Sequence, residues 1–230
     1  MPLLTAAVAA GLVIAGPAQS APKPLAEFPA AGVIRTAKLV VRAKPRPSAK
    51  VVRTLRRYRK DRQFQIVLAL SARRGVDGRR WYRLSLPGRP NGMRGWVRSD
   101  MVDVKRVTTR IVVSLSSRRI DVRRVRDGKL LLRGIVAVGA PGAETPRGRG
   151  FYVQSAFVPT DPFYGTYALE TSAGSRLTDW PDDGIVGIHG TSAPELLGQA
   201  VSHGCIRVGN DIARRLKRLA PLGTPIDIVR

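Results

Sequence analysis

One cysteine and two histidines occur in the chain, and all three fall between Gly187 and Val208, in GIHGTSAPELLGQAVSHGCIRV. A thiol is a weak nucleophile until it loses its proton, and at an ordinary pKa of about 8.5 only a small fraction is thiolate at neutral pH. A neighbouring imidazole removes that limit. It can take the thiol proton, hold the thiolate as an ion pair and later return the proton to a leaving amine. Cys205 is therefore the candidate nucleophile, and His189 and His203 are the candidate bases. Gly204, just before the thiol, permits a tight turn that can point backbone N–H groups at a developing oxyanion. The nearby carboxylates in sequence are Glu195, Asp182 and Asp183, none adjacent to a histidine, so a backbone carbonyl can take the role of orienting the imidazole.

Two other chemistries compete. His189, His203 and Cys205 are enough for three zinc ligands with an open position, although the usual ligand spacings are absent. A glycine-flanked cysteine can also be a small buried hydrophobe, with the histidines on the surface. Each residue taken singly favours that bland reading. Three residues of two scarce types gathered in one window favour the catalytic one.

The elements that must position this window read as strands. From Val33 to Val104 the runs KLVVRAK, KVVRTL, FQIVLAL, RRWYRLSL and RGWVRSDMV alternate with turn residues, as five strands of a small barrel would. Trp81 and Trp96 fall in two of them, and core packing is the expectation over a binding face. From Arg106 a second β-rich domain follows, with RIVVSLSS, RRIDVRRV, KLLLRGIVAVG and GFYVQSA as strands and Asp127-Gly128 as a hairpin turn. One helix is expected, capped by Asn210, with Ile212, Leu216 and Leu219 on its apolar stripe. Gly223 and Pro225 end it, and PIDIV closes the chain as a strand.

Charge and the first residues bear on compartment. The apolar run Leu3 to Ala15, followed by small residues to Ala21, has the outline of a secretory signal over 1–21, with a short uncleaved anchor as the alternative. Residues 22–32 carry three prolines and read as a linker. Formal net charge is +24, with 22 basic and 5 acidic side chains over 23–105 but 18 and 11 over 106–230. Such a field draws polyanions. In an exported chain these are anionic wall polymers or lipid headgroups rather than nucleic acid, with a generic solvated surface as the plain alternative. Export also means that a lone thiol closes no internal disulfide. Residues 150–211 reverse the sign, with seven acids against Arg176 and Arg207, which suits an amine acceptor.

The segments His189-Gly190-Thr191 and Ser202-His203-Gly204-Cys205-Ile206-Arg207 resemble the signature of the L,D-transpeptidase catalytic domain, YkuD type, over about Arg110 to Val229. Gly139, Thr145-Pro146 and Gly148, followed by Phe151 to Val153, resemble another stretch of that family. Residues 33–104 are similar to the bacterial SH3-like domain through Val41-Arg42, Trp81-Tyr82-Arg83-Leu84 and Gly95-Trp96-Val97. The resemblance implies a mostly β protein: an SH3-like small barrel over 33–104, then a YkuD-type β-rich domain over 106–230 with a helix near its C-terminus. It implies a cofactor-free peptidoglycan L,D-transpeptidase acting on stem peptides. Cys205 would attack at the diamino acid carbonyl and release D-alanine, leaving a thioester. His189 would be the base, oriented by the Gly190 carbonyl, and His203 secondary. Arg207 would stabilise the site or meet a substrate carboxylate, and Ser202 and Thr191 would shape the loops. Carbapenem-type β-lactams are implied as covalent inhibitors. An L,D-carboxypeptidase and a non-catalytic wall-binding protein remain the alternatives.

Overall fold

The computed structural model describes residues 27–175 and 184–230. The expected signal, the start of the linker, Arg176, Asp182 and Asp183 lie outside the described residues. Among those described, no helix is long and apolar enough to cross a membrane.

The front unit is one antiparallel sheet of seven strands: β1 (Ala30–Ile34), β2 (Lys38–Arg42), β3 (Val51–Arg56), β4 (Ile66–Arg74), β5 (Arg80–Ser85), β6 (Arg94–Arg98) and β7 (Val102–Arg106). Their spatial order is β3-β2-β6-β5-β4-β1-β7. Ala30, Ile34, Leu39, Val41, Leu55, Val67, Leu84, Val97 and Val104 converge in one buried cluster. A single sheet encloses such a core only by curling around it, with alternate side chains turned inward. The five strands read from the sequence are present, and two more flank them. β1 begins inside the proline-rich stretch read as linker, because Ala30 to Ile34 find partners in both β4 and β7. Long-range pairing overrides the local proline signal there. Trp81 is buried and its indole N–H donates to Asp77 at 3.0 Å. Trp96 is half-buried.

The second unit contains β8 (Thr109–Ser114), β9 (Arg119–Arg124), β10 (Leu130–Gly139), β11 (Gly148–Phe157), β12 (Ala168–Gly174), β13 (Ile185–His189), β14 (Ala200–Ser202), β15 (Ile206–Val208), a helix α1 (Asn210–Leu219) and β16 (Pro225–Val229). The order is β14-β10-β15-β13-β12-β11-β16-β8-β9, and a further β9–β10 pairing closes the sheet into a barrel with β14 at its rim. Inward-facing Ile111, Val113, Ile120, Val122, Val153, Leu169, Ile188, Ile206 and Ile226 fill it. α1 packs Ile212, Ala213 and Leu216 onto that core and keeps its cations on the far side. The Asp127-Gly128 turn forms as expected: Gly128 has φ 70°, and the Lys129 N–H donates to Asp127 at 3.1 Å.

β12 is buried along its whole length. One of its faces looks into the barrel, and the front unit covers the other. The Gly88 N–H donates to the Ser172 carbonyl at 2.9 Å, Asn91 exchanges two hydrogen bonds with Gly174, and Arg59 meets Glu170 at 2.5 Å. The buried Tyr152 hydroxyl donates to the Ile66 carbonyl at 3.1 Å.

Candidate active site

β13 and β15 run parallel, with Ile188 opposite Ile206 and His189 opposite Arg207. Strand alternation then decides the faces. Ile188 and Ile206 point into the barrel core, so His189 and Arg207 point outward, and Cys205, two residues before Arg207, shares their face. The same register sets Gly187 beside Cys205. Having no side chain, Gly187 leaves room for the thiol, and its N–H donates to the Cys205 sulfur at 3.3 Å.

His189 is almost fully buried, with 1% of its surface exposed. Its Nδ1 lies 2.6 Å from the Gly190 carbonyl oxygen. A carbonyl can only accept, so Nδ1 carries the proton and Nε2 presents a lone pair. Burial lowers the His189 pKa to about 4, the hydrogen bonds to the Gly190 and Tyr164 backbone pull against that shift, and the Arg207 cation adds to it. The imidazole is therefore neutral at physiological pH and able to accept a proton during attack.

The nucleophile sits on a turn built by its neighbours. Ser202 is buried, its hydroxyl donates to the Cys205 carbonyl at 2.6 Å, and it accepts the Gly204 N–H at 3.2 Å. Gly204 has φ 112°, a region L side chains rarely adopt. Its own N–H is engaged by Ser202. His203 is exposed on the same turn. Thr191 is buried, and its hydroxyl accepts the Ala193 N–H at 3.0 Å. Among the described residues no group of three His, Cys, Asp or Glu side chains has a geometry that holds a metal ion.

Several residues of the site were not singled out by the sequence. Phe163 and Tyr164 wall the imidazole, with ring centroids 6.4 and 5.1 Å from it, and Arg207 lies 4.8 Å over the Phe163 ring. Arg207 Nε is buried and has no hydrogen-bond partner among the described residues. Asn210 was read as the helix cap, but the cap position belongs to Gly209 and no side chain caps it. Asn210 instead donates to the Thr191 carbonyl at 2.9 Å and accepts the Thr166 N–H at 3.0 Å, tying the two loops on either side of His189. Its short amide between two loop threonines was the available signal. Of the acids counted around the site, Asp161 accepts the Phe163 N–H at 2.9 Å and Glu170 pairs with Arg59, so these two serve structure.

A closed barrel carrying a thiol, a neutral imidazole and a guanidinium on one outer face has the parts of a thiol acyl-transfer protein. The model of the L,D-transpeptidase catalytic domain, YkuD, matches residues 108–228, more than half of the chain, and the chain belongs to that family. It is 36% identical over 119 residues to a Bacillus licheniformis protein assigned as the L,D-transpeptidase YkuD, covering 52% of this chain and 64% of that one. Against the Bacillus subtilis counterpart the identity is 36% over 95 residues, 41% of this chain and 51% of that one. The match thus spans about half to under two thirds of the length of these relatives. L,D-transpeptidase 3 from Mycobacterium tuberculosis, solved with a faropenem-derived adduct, is 17% identical with TM-score 0.48, covering 88% of this chain and 99% of that one.

Proposed function

We propose that the chain is a peptidoglycan L,D-transpeptidase working through a Cys205 thioester. The reading rests on one observation above the others: strand register sets Cys205, His189 and Arg207 on one outer face, with His189 Nδ1 committed to Gly190. His189 Nε2 takes the thiol proton as the sulfur attacks the carbonyl between the diamino acid and terminal D-alanine. The tetrahedral oxyanion collapses, the C–N bond breaks, and His189 returns the proton to the departing D-alanine amine. A side-chain amine of a second stem then gives a proton to His189, attacks the thioester and restores the thiol. Arg207, with a buried N–H still to satisfy, suits a substrate carboxylate or the developing negative charge. Ser202 and Thr191 hold the loops, and His203 has a secondary place at the mouth. No step calls for a cofactor.

The same reading places the protein outside the cytoplasmic membrane, with 1–21 as its signal and the front unit as an SH3-like module whose basic surface holds it on anionic wall polymers. Carbapenem-type β-lactams, which offer a strained carbonyl, would acylate the same sulfur. Mass spectrometry of products from disaccharide-tetrapeptide tests the reaction. Cross-linked dimer lacking one D-alanine, formed by the unmodified chain and not by Cys205→Ala, supports the transpeptidase. Monomeric tripeptide alone would replace it with a carboxypeptidase, and unchanged substrate from folded protein would sink both.

A further inference from the structure

A cleft of about 1280 Å³ lies between the front sheet and the barrel, and neither Cys205 nor His189 lines it. One wall is Thr54 to Asp61, running from β3 into the loop after it; the other is formed by Gln154 and by Thr171 to Gly174 of β12. Among the described residues Arg56, Arg57, Arg59, Lys60 and Arg89 line it together with one carboxylate, Asp61. Arg59 is 11% exposed, and its Nη2 meets Glu170 at 2.5 Å and Asp61 at 3.2 Å. Its Nη1 is buried without a hydrogen-bond partner among the described residues, and so is Nε of Arg57. A guanidinium has donors and no acceptor, so a buried N–H left unmet is a place for a ligand oxygen, and its planar fork fits a carboxylate.

Three further observations indicate what kind of ligand fits. Among the described residues β3 pairs only with β2 and is an edge of the front sheet, where an extended peptide can add main-chain hydrogen bonds. Tyr58 and Phe64, both exposed, lie 5.0 Å apart with the Arg57 guanidinium 5.6 Å from each ring, an amphipathic platform at the cleft mouth. The cleft wall is also joined to the nucleophile by strand pairing. Glu170 stands opposite Gly187, which contacts Cys205, so Glu170, Gly187 and Cys205 form one row across the outer face. A volume above the roughly 300–1,000 Å³ of single small-molecule sites suits a stretch of several residues.

We propose that this cleft is a second substrate subsite that binds an extended, carboxylate-bearing peptide strand through Arg57 and Arg59. It deepens the transpeptidase reading and rests on it. The front unit then contributes directly to substrate binding.

The test is a calorimetric titration of the full chain carrying Cys205→Ala, which prevents turnover, with a stem tetrapeptide and with the same peptide amidated at its carboxylates. Amidation should weaken binding about tenfold or more. Arg57→Gln, which leaves the Arg59–Glu170 pair in place, should weaken the free-acid peptide similarly and leave the amidated one unchanged; Arg59→Lys should give an intermediate loss. In the active chain Arg57→Gln should raise KM for D-alanine release about tenfold with kcat within twofold. Equal affinity for the two peptides would overturn the proposal. So would peptide binding insensitive to Arg57 while polyglycerol phosphate binds in an Arg57-dependent way, which would assign the cleft to a wall polyphosphate. Should no variant release D-alanine, the transpeptidase reading fails, and the carboxylate dependence of binding still decides the cleft.

Discussion

At the scale of single residues, His189 joins geometry to a pH dependence. Burial holds its pKa near 4, so the base form persists well below the usual imidazole range. The acid limb of kcat/KM for D-alanine release is expected near pH 4, and a limb near 6.5 would show a solvated imidazole instead. The same shift affects stability. Between about pH 6.5 and 4 the unfolded chain binds a proton at this position that the folded chain does not. Stability is therefore full above pH 6.5 and falls as pH drops toward 4, by about 3 kcal/mol from this group. Denaturant melts across that range, compared with His189→Gln, check it. His189→Gln should also slow D-alanine release by about 10²- to 10⁴-fold. Cys205, His189 and His203 stand out as candidates because cysteine and histidine are scarce in the chain, and Gly204 by its place beside the thiol. Phe163, Tyr164 and Glu170 were not, since nothing local distinguishes an aromatic or acid that faces the site from one elsewhere on a strand or loop.

At the scale of elements, strand register does the positioning. The β13–β15 pairing brings residues 16 to 18 positions apart in the chain onto one face, and Asn210 fastens the loops beside it. Asn210→Ala removes both side-chain bonds while α1 keeps its buried stripe. A loss of about 1–3 kcal/mol is expected, with D-alanine release falling further than the stability change explains. Chemical denaturation and a rate assay on the same preparation separate the two effects. Gly139→Ala should be worse, because an added Cβ would lie 2.2 Å from the Ala143 carbonyl oxygen and 2.5 Å from the Thr145 nitrogen. Thermal melts that matched the unmodified chain would contradict that. Alternating hydrophobicity revealed most strands and the helix, and Gly-rich turns their ends. β1 was hidden by flanking prolines, and Asn210's side-chain partners lie on loops 19 and 44 residues away, beyond any local pattern.

At the scale of the whole molecule, the two units are tied by a buried seam. Tyr152, fully buried on the barrel, donates to Ile66 of the front sheet, and burial pushes its phenol well above the ordinary tyrosine pKa. Glu170, Arg59, Asn91 and Gly174 extend the contact. Calorimetry should therefore show one unfolding transition for the full chain, and Tyr152→Phe should lower stability by about 1 kcal/mol through the lost bond to a buried carbonyl. Two separated transitions in the unmodified chain would mean the units are merely tethered. Composition revealed a basic front half and an acidic window, yet charge counts alone do not show Arg59 reaching across to Glu170. That contact needs both sheets folded.

The central claim is that Cys205 carries the acyl group. Intact-protein mass spectrometry of the full chain, quenched early in reaction with a stem tetrapeptide, tests it most directly. The account predicts an adduct of the peptide minus D-alanine, mapped to Cys205, released by added amine and absent from Cys205→Ala. An adduct that persists in folded Cys205→Ala, or D-alanine release without any adduct under conditions that trap thioesters, would contradict it.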